Sequence, residues 1–233
     1  MKNILIAGAG KGIGLATATQ ISQQANLFTI SRNLTEPLAA LNTKFYKLDL
    51  SLDSLDALND LPDTLHGLVY CPGSINLKPF NRLTSQDFLN DFQQNIVGAV
   101  NLIQKVLPAL KKAEGASIVL YSTVAVKAGM PFHASIAAAK GAVEGLSRSL
   151  AAEFAASRIR VNVVAPSLTD TPLASALLNT PEKKEAAGKR HPLQRVGTAE
   201  DMAKLTNFLL SDDSGWITGQ VIGADGGLGS LRV

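Results

Sequence analysis

The chain has 233 residues, 46% of them hydrophobic and 18% charged, with a formal net charge of +3. This is globular composition, which excludes a disordered chain and a collagen-like or coiled-coil fibre. The charge is too small to argue for nucleic acid, and no run of about 18 apolar residues argues for a membrane span.

The first predicted strand covers residues 4–7 and runs into Gly8-Ala9-Gly10-Lys11-Gly12-Ile13-Gly14, which opens a predicted helix over 13–24. This apolar run is too short for a signal-peptide core, so the expected location is the cytoplasm. Residues 27–30 and 45–48 read as strands, 54–60 as a short helix and 65–70 as a strand. A long helix is predicted over 85–112, bent or ended at Pro108. Strands over 117–121 and 159–164 flank a helix over 136–155. A helix over 199–210, capped by Thr198 with Asp201 in its first turn, leads to a last strand over 221–222. Most of the strand segments are continuously apolar, the pattern of strands buried on both faces. The expected fold is a single doubly wound α/β domain over 1–233, with a parallel sheet of about seven strands flanked by helices.

The segment 170–197 breaks this rhythm with Pro172, Pro181 and Pro192 and a cluster of charges. It is expected to cover the ligand crevice. Its basic stretch carries Glu182 and Glu185 among the lysines and has no aromatic residues. That reads as a solvated helix face and argues against a nucleic-acid surface. The single cysteine, Cys71, cannot form an intramolecular disulfide and suits a reducing compartment.

A buried strand, a glycine turn and a helix N-terminus together form a pyrophosphate cradle. The spacing here is G-x-x-x-G-x-G, as Gly8, Gly12 and Gly14, with Ile13 where a G-x-G-x-x-G motif has its third glycine. At the end of the second strand stand Ser31 and Arg32, with no acid to bond a ribose hydroxyl. Arg32 offers a planar fork to a phosphate, Ser31 a second donor and Lys11 a second cation. The expected cofactor is therefore NADP, with NAD the lesser alternative.

The glycine spacing resembles that of the short-chain dehydrogenase/reductase family, and further matches follow in family order along essentially the whole chain. Lys47-Leu48-Asp49-Leu50 is similar to the family's adenine-contacting aspartate segment. Gln94-Asn95-Ile96-Val97-Gly98 is similar to its asparagine segment. Ala165-Pro166-Ser167-Leu168-Thr169-Asp170-Thr171 resembles its P-G-x-x-x-T loop, with Ser167 in the glycine's place. Segments 195–201 and 217–227 resemble its C-terminal signatures. The resemblance implies that Asp49, Leu50, Gly73, Asn95, Lys140, Pro166 and Thr171 line the cofactor, with the lysine on its ribose. It also implies a catalytic row of Asn, Ser, Tyr and Lys, and a homo-oligomer (tetramer or dimer) assembled through 85–112, 136–155 and 199–223.

The row is incomplete. Lys140 and Asn95 are present, Thr123 preceded by Ser122 stands for the serine, and Ile136 occupies the tyrosine position. A positioned general acid is worth ~10²–10⁴ in rate, so isoleucine demands either a substitute or a substrate that needs no such acid. His133, Ser135, Tyr121 and Tyr70 are nearby candidates, as is a water held by Lys140 or Asn95. Two functions stay open. One is an NADP-dependent oxidoreductase with an altered proton-transfer site, acting on a small apolar carbonyl or alcohol. The other is a non-catalytic dinucleotide-binding protein, a sensor or scaffold. An apolar substrate pocket is expected from Leu77, Phe80, Val124, Val126, Met130, Phe132, Leu168 and Leu173, and no metal-binding cluster is read.

Overall fold

A computed structural model describes residues 1–232. Seven strands form one parallel sheet: β1 (Lys2–Ala7), β2 (Ala25–Ser31), β3 (Thr43–Lys47), β4 (Gly67–Tyr70), β5 (Ala116–Tyr121), β6 (Ile159–Pro166) and β9 (Val221–Ala224). Their spatial order is β3-β2-β1-β4-β5-β6-β9. Two short strands, β7 (Thr169–Asp170) and β8 (Gly197–Thr198), pair separately and tie the ends of the 170–197 excursion together.

Residues alternate between the two faces of each strand, and here both faces are apolar. Leu5, Leu68, Ile118 and Val161 pack on one side against α4 (Gly98–Lys111) and α6 (Ala134–Phe154). Ile4, Val69, Val119 and Val164 pack on the other against α1 (Gly12–Ile21) and α9 (Ala199–Leu210). Thr198 and Asp201 cap α9 reciprocally, each side chain taking the other's backbone N–H. The strand order reverses between β1 and β4, and at the carboxyl ends flanking such a reversal an open α/β sheet leaves its crevice.

The predicted helix over 85–112 is three pieces: α3 (Ser85–Phe92), a π-helical turn (Gln93–Val97) and α4. Periodicity cannot show the inserted residue of a π turn. The Tyr70 hydroxyl donates to the Gln94 carbonyl inside that turn at 2.8 Å. Pro108 lies within α4 without ending it, because the helix has one more turn to run, to Lys111. The predicted helix over 54–60 is a 3₁₀ turn (Leu55–Leu58), and α2 (Glu36–Ala39) and α5 (Val124–Ala128) are too short to show a period. In the excursion, α7 (Ser175–Leu178) and α8 (Pro181–Lys189) form a helical pair over the crevice.

Candidate active site

The glycine turn leaves β1 and enters α1 beneath an elongated cleft of about 330 Å³. Gly8 has φ +79°, a left-handed conformation that favours glycine, and a Cβ on Gly14 would lie 2.3 Å from the Gly8 carbonyl oxygen. Gly12, Ile13 and Lys11 line the same cleft, with Arg32, Ser31, Asp49 and Leu50 at its far end. Gly73 and Thr171 close it toward the crevice. Ser31 does not supply the second free donor expected of it, because its hydroxyl donates to the Asn33 carbonyl at 2.6 Å. Arg32 and Lys11 remain as the cations there. One Asp49 oxygen accepts from the Ser51 hydroxyl and N–H, which holds its carboxyl below the usual range; the other lies 4.0 Å from Arg32.

Beside this cleft a second cavity of about 490 Å³ opens over the ends of β4, β5 and β6. Lys140 projects into it from α6 and is 8% exposed. Its ammonium donates to the Tyr121 carbonyl at 2.8 Å, which leaves two protons free. Burial lowers it to about 8, only partly offset by Cys71 and Asp91. The Cys71 thiol is itself pushed up to about 12 by burial, which makes it an inert neighbour.

Asn95 sits, buried, in the π-helical turn. Its amide donates to the Asp91 carbonyl at 2.7 Å and to the Ser74 hydroxyl at 3.1 Å, while its buried Oδ1 accepts nothing. A Cβ on Gly73 would lie 3.4 Å from that Oδ1 and 3.5 Å from the Lys140 Nζ. An unused acceptor and a donor with protons to spare therefore face one point on the cavity wall. Ile136 is also on that wall, one helical turn before Lys140.

The other expected residues are placed as follows. Thr123 caps α5 by accepting from the Ala125 N–H, and it makes no other side-chain hydrogen bond among the described residues. Ser122 lines the cavity, but its hydroxyl proton is committed to Glu144 at 2.7 Å. His133 is the residue before α6 rather than a member of its face, and one ring nitrogen is tied to the Pro131 carbonyl at 2.7 Å. Pro166 ends β6 on the cavity wall. Leu77, Val124, Met130, Leu168 and Leu173 line the cavity; Phe80 and Phe132 do not, being solvent-exposed, and Val126 packs toward α6 near Gly141.

Two features escaped the sequence reading. Asp91 is a buried carboxylate that accepts from Ser74 at 2.5 Å and from Ser135, with no cation paired to it among the described residues. His191 is 3% exposed, with Nδ1 on the Ala187 carbonyl at 2.9 Å and Nε2 on the Ser167 hydroxyl at 2.8 Å. A carbonyl accepts only, so Nδ1 carries the ring proton and Ser167 donates to Nε2. Ser167 in place of the loop glycine was the one trace of this pair in the sequence.

The family profile described as enoyl-(acyl carrier protein) reductase matches residues 8–229. The chain belongs to the short-chain dehydrogenase/reductase family. A 3-oxoacyl-(acyl carrier protein) reductase, FabG, of Thermotoga maritima is 34% identical over 242 residues, covering 97% of each chain. A tropinone reductase homologue of Arabidopsis thaliana is 34% identical over 241 residues, covering 97% of this chain and 92% of the relative. Among solved structures, the ligand-free aldohexose dehydrogenase of Thermoplasma acidophilum superposes with a TM-score of 0.89 at 25% identity, over 100% of this chain and 95% of the other. A tyrosine-to-phenylalanine variant of ElxO with NADPH bound superposes with a TM-score of 0.90 at 28% identity, over 99% of each chain. The family is one of oxidoreductases that bind nicotinamide dinucleotides and act on small molecules, and among the described residues no helix is long and apolar enough to cross a membrane.

Proposed function

We propose that the protein is an NADP(H)-dependent oxidoreductase acting on a small carbonyl or alcohol substrate with an apolar body, in which Lys140 carries the proton that a tyrosine would otherwise carry. The residues present fit the dinucleotide: a glycine cradle that a Cβ at Gly14 would fill, a buried Asn95 Oδ1 without a partner, and Arg32 and Lys11 at the far end. When bound, the cofactor supplies or accepts the hydride. Gly8, Gly12, Ile13 and Gly14 would hold the pyrophosphate, Asp49 and Leu50 would flank the adenine, and Gly73, Pro166 and Thr171 would line the path to the crevice. Arg32 would pair with a 2′-phosphate, and the bound state of the ElxO neighbour favours the same choice.

The observation that carries this reading is the facing of the Lys140 Nζ and the Asn95 Oδ1 across Gly73, with Ile136 beside them. Thr123 donates its free hydroxyl proton to the substrate oxygen. Lys140 gives that oxygen a proton directly or through one water held against Asn95. The proton is returned to Lys140 from solvent through the open cavity, while Asn95, fixed by Asp91 and Ser74, holds the relaying water. His133 lines the same cavity, with one ring nitrogen held by the Pro131 carbonyl. Ser122 positions α6 through Glu144 and the Lys140 carbonyl. The test is a panel of ketones, alcohols and enones scored for NADPH oxidation or NADP⁺ reduction. Turnover that falls by ~10²–10⁴ in Lys140→Met while NADP⁺ binding persists is the expected result.

Ile136 also sustains a second reading, a dinucleotide-binding sensor or scaffold without catalysis. NADPH binding with no turnover of any panel member, in wild type and in Ile136→Tyr, would favour it. The assembly we propose is a homotetramer or dimer in the cytoplasm, where Cys71 stays a thiol. Its interfaces would run through α3, α4, α6 and the β9 end. Leu89 and Phe92 on α3, and a fully exposed Trp216 before β9, are apolar surface that association would cover. Light scattering showing a monomer at micromolar concentration would contradict this.

A further inference from the structure

The substrate cavity is apolar along its length, yet five basic side chains and no carboxylate line it: Lys140, His133 and His191, Lys183 on α8 and Arg190 at the C-cap of α8. The cations of α8 divide by face. Lys183, Ala187 and Arg190 are spaced i, i+4 and i+7, one stripe of the helix, and this stripe lines the cavity. Glu182, Glu185 and Lys189 follow another stripe, where Lys189 pairs with Glu185 at 2.6 Å. Lys184 pairs with Asp170 at 2.5 Å.

So the α8 cations outside the cavity are neutralised, and the two that line it are not. Lys183 donates to the neutral Asn179 at 2.9 Å, and Arg190 makes no ion pair among the described residues. Asp225, beside the buried His191 loop, is occupied by the Gly227 and Gly229 N–H groups and does not line the cavity. Two unpaired cations at the rim of an apolar pocket raise the local concentration of anions and bind them with charge-assisted hydrogen bonds.

We propose that the substrate carries a carboxylate distal to its reacting carbonyl, seated between Lys183 and Arg190: an oxo acid whose methylene chain lies on Leu77, Met130, Ile136 and Leu173. This rests on the oxidoreductase reading of the same cavity and names its substrate class. Arg190 offers the planar fork and Lys183 the point charge. The apolar wall accounts for the chain, and the buried end at Lys140 for the carbonyl.

The test is calorimetric titration of 7-oxooctanoate and of its methyl ester into the full chain saturated with NADP⁺. Wild type is expected to bind the acid at least ~10-fold more tightly than the ester. In Lys183→Gln/Arg190→Gln that preference falls to within about 3-fold, with the ester unchanged. Lys184→Gln/Lys189→Gln, on the same helix, keeps the full preference. Lys183→Glu/Arg190→Glu, which alters only exposed side chains, reverses it. Equal binding of acid and ester, no binding of the acid, or a preference that survives the Lys183/Arg190 variants overturns the proposal. Failure of NADP⁺ itself to bind overturns the oxidoreductase reading first, and is seen before any acid is added.

Discussion

The two halves of the crevice are built by different means. On the cofactor side the backbone does the work: a positive φ at Gly8, a close approach at Gly14, and the N-terminus of α1. On the substrate side the side chains decide: Lys140, Asn95, Ile136 and the α8 stripe, carried on a π turn, a helix face and an excursion. Backbone devices leave a rigid sequence trace, because only glycine fits. Side-chain devices leave a trace only when residue type and spacing are both fixed, and position 136 holds an isoleucine. The cofactor half therefore speaks for a shared reaction, and the substrate half for what is particular to this protein.

The most severe way to break this contrast is Gly14→Val. A Cβ 2.3 Å from the Gly8 carbonyl cannot be absorbed by a flexible neighbour. The expected cost is about 3 kcal/mol or more of stability, with loss of NADP⁺ binding, read by thermal melting and calorimetry. Unchanged binding would show that the turn is not the cradle.

Next in size is Lys140→Met. Carbonyl reduction should fall by ~10²–10⁴, while NADP⁺ affinity changes much less. A matching loss of affinity and rate would make Lys140 only a cofactor ligand. Ile136→Tyr sharpens the same point from the other side. A phenol one turn before an ammonium has its pKa lowered, and ketone reduction should rise by up to ~10²-fold if the cavity wall accepts the ring. The melting temperature of the variant must be measured with it, since Ile136 is buried.

The smallest expected effect is at the far end of the cofactor cleft. Arg32→Ala should lower NADP⁺ affinity by roughly 10-fold and leave NAD⁺ affinity unchanged. Asp49 lies 4.0 Å from Arg32 at this end of the cleft. Tighter binding of NAD⁺ by wild type would reverse the cofactor assignment.

The fold was legible in the sequence because its strands are apolar on both faces and its first turn is glycine-bound. The ends of the elements were less legible. Gln93–Val97 hides a π turn inside an unbroken apolar period, and α5 is too short to show one. Within the site, Lys140 and Asn95 were singled out by the family resemblance of their segments. The committed hydroxyls of Ser31 and Ser122 were not, because an acceptor distant in sequence or on a loop carbonyl leaves no pattern. Nor was the buried His191, whose partner Ser167 lies 24 residues away. The stretch at 183–190 read as one solvated face. Only the packing of α8 over the cavity separates its paired cations from its unpaired ones.

The central claim is that the Lys140 ammonium moves the proton, and its pH dependence tests it most directly. Burial lowers that ammonium to about 8, so it holds its proton below that pH and has lost it above. NADPH-dependent ketone reduction by wild type should be flat on the acid side of pH 8 and fall about tenfold per unit above it, while alcohol oxidation should rise through the same point. In Lys140→Met both limbs should disappear from the residual activity. A wild-type profile without a limb near pH 8, or a limb that persists in Lys140→Met, would contradict the account.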